Sequence, residues 1–149
     1  MSHVCLIDVR VKNRGDLAAA CKALGLEWLP HETRWAWFGR WLDDFHGDRA
    51  AHKHGVQPEE YGTADAGVIR VPGAQYDIGV YRRGGIYLLV YDSWEGGRGI
   101  EARLGAGLTK LRQAYSEAVS TRHLRMQGFA VRRQVTADGR ILLTGTRAR

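Results

Sequence analysis

The chain has 149 residues, of which 44% are hydrophobic, and a formal net charge of +6. This length suits a single domain that buries a sizeable core without disulfide staples, and the composition excludes an intrinsically disordered chain. No run approaches the roughly 18 apolar residues that span a bilayer, so we expect no transmembrane helix.

The N-terminus and the cysteines bear on the compartment. The first residues lack a basic segment followed by an apolar core, so we expect no signal peptide and a cytoplasmic protein. The two cysteines do not form a disulfide framework, and we expect free, core-facing thiols in a reducing compartment.

The positive charge is unevenly distributed along the chain. Residues 1–107 carry 13 Lys and Arg against 14 Asp and Glu, a balance of −1, whereas residues 108–149 carry 9 against 2, a balance of +7. Such asymmetry indicates an acidic partner, either nucleic acid or protein. A preference for arginine codons explains it equally well.

The first third of the chain predicts a strand, a helix and two short strands. Hydrophobic residues alternate from Val4 to Val11, which is typical of a half-buried strand. A helix follows, with Asp16 as its N-cap and Gly25 at its end. Residues 26–29 and 34–38 look like short strands on either side of Pro30. Residues 40–66 then lack any periodicity, and we expect an irregular excursion there.

The centre of the chain predicts an antiparallel meander. Three apolar runs between Gly67 and Tyr91 are separated by Pro72-Gly73 and Gly84-Gly85, which are strong turn signals. The last run is apolar on both alternating faces, so we expect cover on both sides of the sheet.

The C-terminal part predicts the longest helix and a hairpin. Leu104, Leu108, Leu111 and Tyr115 keep helical spacing, and two strands flank Ala137-Asp138-Gly139. The predicted fold is α+β and two-layered, with two helices on one face of an antiparallel sheet in a single domain spanning residues 1–149. A ferredoxin-like βαββαβ core with extra strands is one specific version.

The basic C-terminal third offers a nucleic-acid site. The candidate residues form a phosphate-binding stripe if the fold aligns them, and a scattered solvated face if it does not. They are Lys110, Arg112, Arg122, Arg125, Arg132 and Arg133.

A metal site is the second candidate. His46, His52 and His54 form the densest group of potential ligands, and they suit zinc or another divalent metal. Their spacing matches no metal signature, and a solvated loop without any cofactor is the stronger interpretation.

Two further patterns have structural explanations that we favour. Gly97 to Ala102 fits the G-x-G-x-x-A pattern of dinucleotide sites, but the acidic residue that should end the following strand is missing. Asp77 and Asp92 could act as an acid-base pair, although such carboxylates more often cap turns. No catalytic triad, Walker A loop or His-Glu-x-x-His motif is present, so we lean towards a non-enzymatic protein.

Several segments resemble an uncharacterised family of small proteins found in cyanobacteria, plastid genomes (a hypothetical chloroplast reading frame), other bacteria and bacteriophages. The resemblance rests on Met1-Ser2-His3, Leu24-Gly25-Leu26, Ile69 to Gly73, Tyr76 to Val80, Tyr91 to Trp94, Leu111 with Tyr115, and the hairpin from Gly128 to Gly139. It is strongest for phage and proteobacterial members, and it would place a phage-encoded protein in the host cytoplasm. This family of unknown function implies no activity and no catalytic residues. The frequent proximity of its genes to AAA+ ATPase genes implies an ATPase as a protein partner.

Three functional hypotheses follow from the sequence. The first is a binding or accessory protein of unknown role that engages another protein through the excursion, with Trp41, Phe45 and Tyr61 as contact residues, and through an exposed sheet edge. The second is a nucleic-acid-binding protein that uses the basic C-terminal third. The third is a metal-dependent hydrolase built on the His-rich loop.

Overall fold

A computed structural model describes residues 4–38 and 56–147 of the chain, and every structural statement below refers to these residues. They form seven strands and three α-helices. The strands are β1 (Val4–Val11), β2 (Glu27–Leu29), β3 (Gly67–Arg70), β4 (Asp77–Arg83), β5 (Ile86–Asp92), β6 (Phe129–Val135) and β7 (Ile141–Arg147). The helices are α1 (Arg14–Ala23), α2 (Ile100–Leu104) and α3 (Thr109–Met126), with 3-10 turns at Pro58–Glu60, Trp94–Gly99 and Ala106–Leu108.

The main sheet has five antiparallel strands in the order β1-β5-β4-β3-β2. Strands β4 and β5 are joined by Gly84 and Gly85, whose φ angles of 56° and 83° suit a two-residue hairpin turn. The predicted meander and the α+β class are therefore confirmed.

The connection between β1 and β2 distinguishes this sheet from a ferredoxin-like core. Helix α1 links the two edge strands, and the whole β3–β5 meander lies between them, whereas a split βαβ unit has one strand there. In addition, β6 pairs with β7 in a separate two-stranded sheet. The ferredoxin-like version is thus not the arrangement that the chain adopts, because short turns keep the three central strands together.

The helices cover one face of the main sheet, as the sequence predicts. Leu17 and Cys21 of α1 pack with Leu104, Leu111 and other buried residues of the C-terminal helices on this face. The strand residues beneath them are Ile69, Ile78, Val80, Leu89 and Tyr91. Burial raises the pKa of the Cys21 thiol to about 12, which fits an inert core residue.

The opposite face is covered by irregular chain, which confirms the predicted cover on both sides of the sheet, although the sequence did not indicate which segment supplies it. Trp35, Val56, Tyr61 and Ala64 pack there on Val68, Tyr81, Leu88 and Val90 of the sheet. The alternation in β5 is confirmed, because Leu88 and Val90 face this layer while Leu89 and Tyr91 face the helices.

The predicted strand at residues 34–38 is wrong. Only an isolated bridge joins Arg34 to Thr63, and no ladder follows. The reason is that carboxylates take the backbone amides of this segment: Ala36 N–H donates to Asp77 Oδ2 at 2.8 Å and Phe38 N–H to Asp92 Oδ2 at 3.1 Å.

Two helix predictions need correction. The N-cap of α1 is Asn13, whose side chain accepts from the Asp16 amide at 3.1 Å, and Asp16 itself is buried. The predicted long helix is interrupted after Leu104, where Gly105, Gly107 and Leu108 have φ angles of 82°, 66° and 56°. Glycine tolerates this left-handed backbone, so the chain turns before α3 begins.

Candidate nucleic-acid interface

The β6–β7 hairpin lies on α3, away from the main sheet. Its register pairs Phe129 with Arg147 at one end and Val135 with Ile141 at the other. Because side chains alternate along a strand, the ribbon has two distinct faces. Phe129, Val131, Ile141 and Leu143 are half-buried on the inner face, which packs against α3.

The outer face of the ribbon, defined here by the other set of alternating residues, is fully exposed. It consists of three cross-strand pairs, Ala130 with Thr146, Arg132 with Thr144, and Gln134 with Leu142, all of them exposed. No residue from Phe129 to Arg147 is buried. A two-stranded ribbon of this kind is marginally stable alone, and here its support comes from α3.

Positive charge is concentrated on this helix and ribbon. From Thr109 to Arg147, eight Lys and Arg side chains stand against Glu117 and Asp138, a net charge of +6. Like charges in such a small volume create a positive potential that extends beyond the individual side chains.

Half of these cations already have partners in the fold. Arg122 contacts the buried Asp16 of α1 with Nε to both carboxylate oxygens at 3.0 Å, which ties the two helices together. Arg133 pairs with Glu117, and Arg140 Nε lies 3.1 Å from Asp138 Oδ2. The Arg147 guanidinium lies over the Phe129 ring at 5.6 Å.

Four cations make no such contact within the described residues. Arg132 stands on the outer face, Arg112 on the exposed side of α3, and Lys110 beside Arg133 near the hairpin tip. Arg125 lines an open groove of about 440 Å³ between α1 and α3. The six basic residues predicted from the sequence therefore all lie on α3 and the β6–β7 hairpin. They point to several sides of this unit and do not form a single stripe. Arg122 has a structural role.

Apart from Arg132, the residues of the outer face were not among the candidates predicted from the sequence. Arg132, Gln134, Thr144 and Thr146 are polar residues at a spacing of two, placed opposite each other by the hairpin register. The period-two pattern was readable from the sequence. The alignment of the two strands required the turn geometry.

Two buried acidic residues of the central strands, Asp77 and Asp92, accept hydrogen bonds from backbone amides. Asp77 opens β4 and Asp92 closes β5, and both are buried. Asp77 Oδ2 accepts the amide of Ala36 and Asp92 Oδ2 that of Phe38, and Asp92 also accepts the amide of Trp94 through Oδ1 at 2.9 Å. These contacts favour the capping interpretation over acid-base chemistry.

The glycine-rich joint before α2 is packed against the protein. A Cβ on Gly97 would lie 3.2 Å from the Asp92 carbonyl oxygen, and one on Gly99 would lie 2.9 Å from Cα of Ala74. The close approach that these glycines allow is therefore to neighbouring chain segments, and α2 itself is only five residues long. The geometry favours a structural joint over a dinucleotide site.

Of the three residues predicted to contact a protein partner, the structure describes one. Trp41 and Phe45 lie outside the described residues, whereas Tyr61 is 6% exposed and packs edge-on against Trp37 at a centroid distance of 5.6 Å. Tyr61 is thus a core residue and not a surface contact, because the irregular layer closes over it.

All three predicted metal ligands lie outside the part of the chain that the structure describes. His46, His52 and His54 are not among the described residues. In the parts that are described, no three His, Cys, Asp or Glu side chains are grouped to hold a metal ion.

Comparisons with known proteins add no assignment. No protein-family model matches the chain, and neither a curated protein nor a solved structure matches it. The family resemblance therefore stays a prediction. None of the described helices is long and apolar enough to cross a membrane.

Proposed function

We propose that the protein binds nucleic acid through α3 and the β6–β7 ribbon. The observation that carries the proposal is the concentration of the chain's excess positive charge on a peripheral unit whose outer face is entirely exposed. Phosphate groups attract such a surface without regard to sequence, and the released counterions supply the free energy.

The ion pairs within α3 and the β6–β7 ribbon leave most of the positive electrostatic potential of this unit intact. Exposed pairs such as Arg140 with Asp138 are weak, and their cations can exchange a carboxylate for a phosphate. The net charge of +6 already includes both acidic residues of the segment. The unit therefore remains strongly attractive to a polyanion.

The other two hypotheses lack support of this kind. Trp41, Phe45 and the three histidines lie outside the described residues, and Tyr61 is buried. A protein-docking role for the excursion, an AAA+ ATPase partner and a divalent metal stay predictions.

Salt dependence of binding tests the proposal. Fluorescence anisotropy with a labelled DNA duplex of about 24 base pairs measures the affinity between about 50 and 200 mM salt. With roughly four to six phosphate contacts, affinity should fall about 10²- to 10³-fold over this range. No binding at the lowest salt concentration would refute the proposal.

A matched pair of double variants locates the interface. Arg132→Glu with Arg133→Glu should abolish binding, because it reverses two charges on the ribbon. Arg34→Glu with Arg82→Glu makes the same charge change at exposed positions of the other part of the chain, which is close to neutral overall. This control should bind nearly as well as the wild type. Equal losses in the two variants would place the interface elsewhere.

A further inference from the structure

The dimensions of the ribbon restrict which nucleic acid it can contact closely. Strands β6 and β7 are seven residues each, or about 23 Å long at the usual rise per residue. Paired strands lie about 4.8 Å apart, and the major groove of B-form DNA, about 12 Å wide, admits a two-stranded ribbon. The narrow, deep major groove of duplex RNA does not.

The chemistry of the outer face matches the base edges in that groove. Arginine pairs with guanine O6 and N7, glutamine with adenine N6 and N7, and threonine with either type of edge. Arg132 and Thr144 lie opposite each other at the centre of the ribbon, and Gln134 and Leu142 follow towards the tip. Leu142, which is 49% exposed, offers an apolar contact for a thymine methyl group.

The same face is poorly suited to other polyanions. Single strands are usually held by aromatic side chains on which bases stack, and none of the six outer-face residues is aromatic. An acidic protein would be attracted by charge alone and would not need the hydrogen-bonding amide of Gln134 or the hydroxyls of Thr144 and Thr146. The outer face carries no acidic residue that would repel phosphates at the groove edges.

We infer that the β6–β7 ribbon enters the major groove of duplex DNA with its outer face, so that Arg132, Gln134 and Thr144 contact base edges. This inference rests on the proposed function and specifies its ligand. The inner face stays on α3, and the cations beside the ribbon, such as Arg140 at the turn, face the flanking phosphates.

Two neighbouring arginines provide the decisive comparison. Arg132 points to the outer face, whereas Arg133 points to the inner face and pairs with Glu117. Arg132→Gln and Arg133→Gln remove the same charge from the same strand. If the outer face enters the groove, Arg132→Gln should weaken binding to the DNA duplex about tenfold or more, and Arg133→Gln only about two- to threefold.

A second variant removes hydrogen bonding without a change in charge. Thr144→Val keeps the side-chain shape and the strand preference, so the ribbon should fold normally. We expect it to weaken duplex binding about three- to tenfold at constant salt. Circular dichroism and urea unfolding of each variant check that the fold is retained.

Chemical probing identifies the groove directly. Dimethyl sulfate methylates guanine N7 in the major groove, and the wild-type protein should protect some of these positions whereas Arg132→Gln should not. Equal losses for the two arginine variants, or no protection of N7, would overturn the inference while salt-dependent binding would still uphold the proposed function.

Competing ligands complete the test. The same assay is repeated with a single strand and an RNA duplex of matched sequence, and with polyglutamate as an acidic polypeptide. The DNA duplex should bind most tightly. A single strand, duplex RNA or polyglutamate that binds as tightly would overturn the inference, and preference for polyglutamate over every nucleic acid would overturn the proposed function too.

Discussion

Replacement of Tyr81 by phenylalanine tests how the irregular layer is attached to the sheet. The Tyr81 side chain is fully buried in β4, and its hydroxyl lies between two other groups. It accepts a hydrogen bond from Trp35 Nε1 at 2.9 Å and donates one to the Glu60 carbonyl oxygen at 2.7 Å. Burial raises the pKa of Tyr81, so the hydroxyl stays protonated and able to donate even at a pH where an exposed tyrosine ionises.

The expected loss of stability depends on the two groups that lose their hydrogen bond when the Tyr81 hydroxyl is removed. Trp35 is 3% exposed, so its indole N–H would lose its partner away from water, which costs about 1–3 kcal/mol. The Glu60 carbonyl belongs to a half-buried residue and can turn to water at a smaller cost. We therefore expect Tyr81→Phe to lower the free energy of unfolding by about 2–3 kcal/mol.

Urea unfolding followed by tryptophan fluorescence measures this loss. Tyr115→Phe is the matched control, because its hydroxyl accepts only the amide of Lys12, at 3.0 Å, next to solvent. The control should lose about 0.5–1 kcal/mol. If Tyr81→Phe were no more destabilising than Tyr115→Phe, the bridging role of the Tyr81 hydroxyl would be wrong.

Two further stability predictions concern the two faces of the sheet. Gly79→Ala should destabilise the fold by about 1–3 kcal/mol in the same urea assay, because the new Cβ would lie 2.5 Å from Trp35 Nε1; a neutral result would contradict this packing. Stability should also fall as the pH rises above 9, by at most about 1.4 kcal/mol per pH unit, because the unfolded chain loses the Cys21 proton near its ordinary pKa of 9.0 while the folded chain keeps it until about 12. Unfolding midpoints at pH 8, 9 and 10 should show a shallower decline in Cys21→Ala, and an unchanged decline would mean that the thiol is not buried.

The central meander was predictable because its turn signals lie next to its strands in the sequence. Gly84 and Gly85 set the hairpin between β4 and β5, and the run that follows is apolar on both faces. The hairpin at the C-terminal end was predictable for the same reason. In each case, neighbouring residues supply both the turn and the hydrophobic pattern.

Two predictions that were wrong, the strand at residues 34–38 and the N-cap of α1, failed because of contacts between residues distant in sequence. The segment at residues 34–38 has the composition of a strand, but Asp77 and Asp92 occupy its amides from about 40 and 55 residues away. Asp16 is a residue type that commonly caps helices, but here its carboxylate pairs with Arg122 of α3. Asn13 caps α1 instead. Composition alone could not show these pairings.

The residues of the candidate nucleic-acid interface were predicted in part. Charge counting located the unit, because net charge along the chain needs no fold. It could not separate Arg132, which faces outward, from Arg122, which is held by Asp16, since both are arginines in a basic segment. The hairpin register was needed to bring Gln134 and Thr144 into the same face.

The position of β1 has a consequence for synthesis of the protein. Among the described strands its only neighbour is β5, which is completed about 80 residues later. At about 5–20 residues per second, a ribosome needs roughly 4–16 s to make that stretch. Through this interval the nascent β1 lacks the one partner that it has among the described strands, and α1 lacks β4 and β5 of the sheet that it covers. A ribosome that stalls before residue 86 would therefore leave β1 without β5, and an unpaired strand edge of this kind favours aggregation.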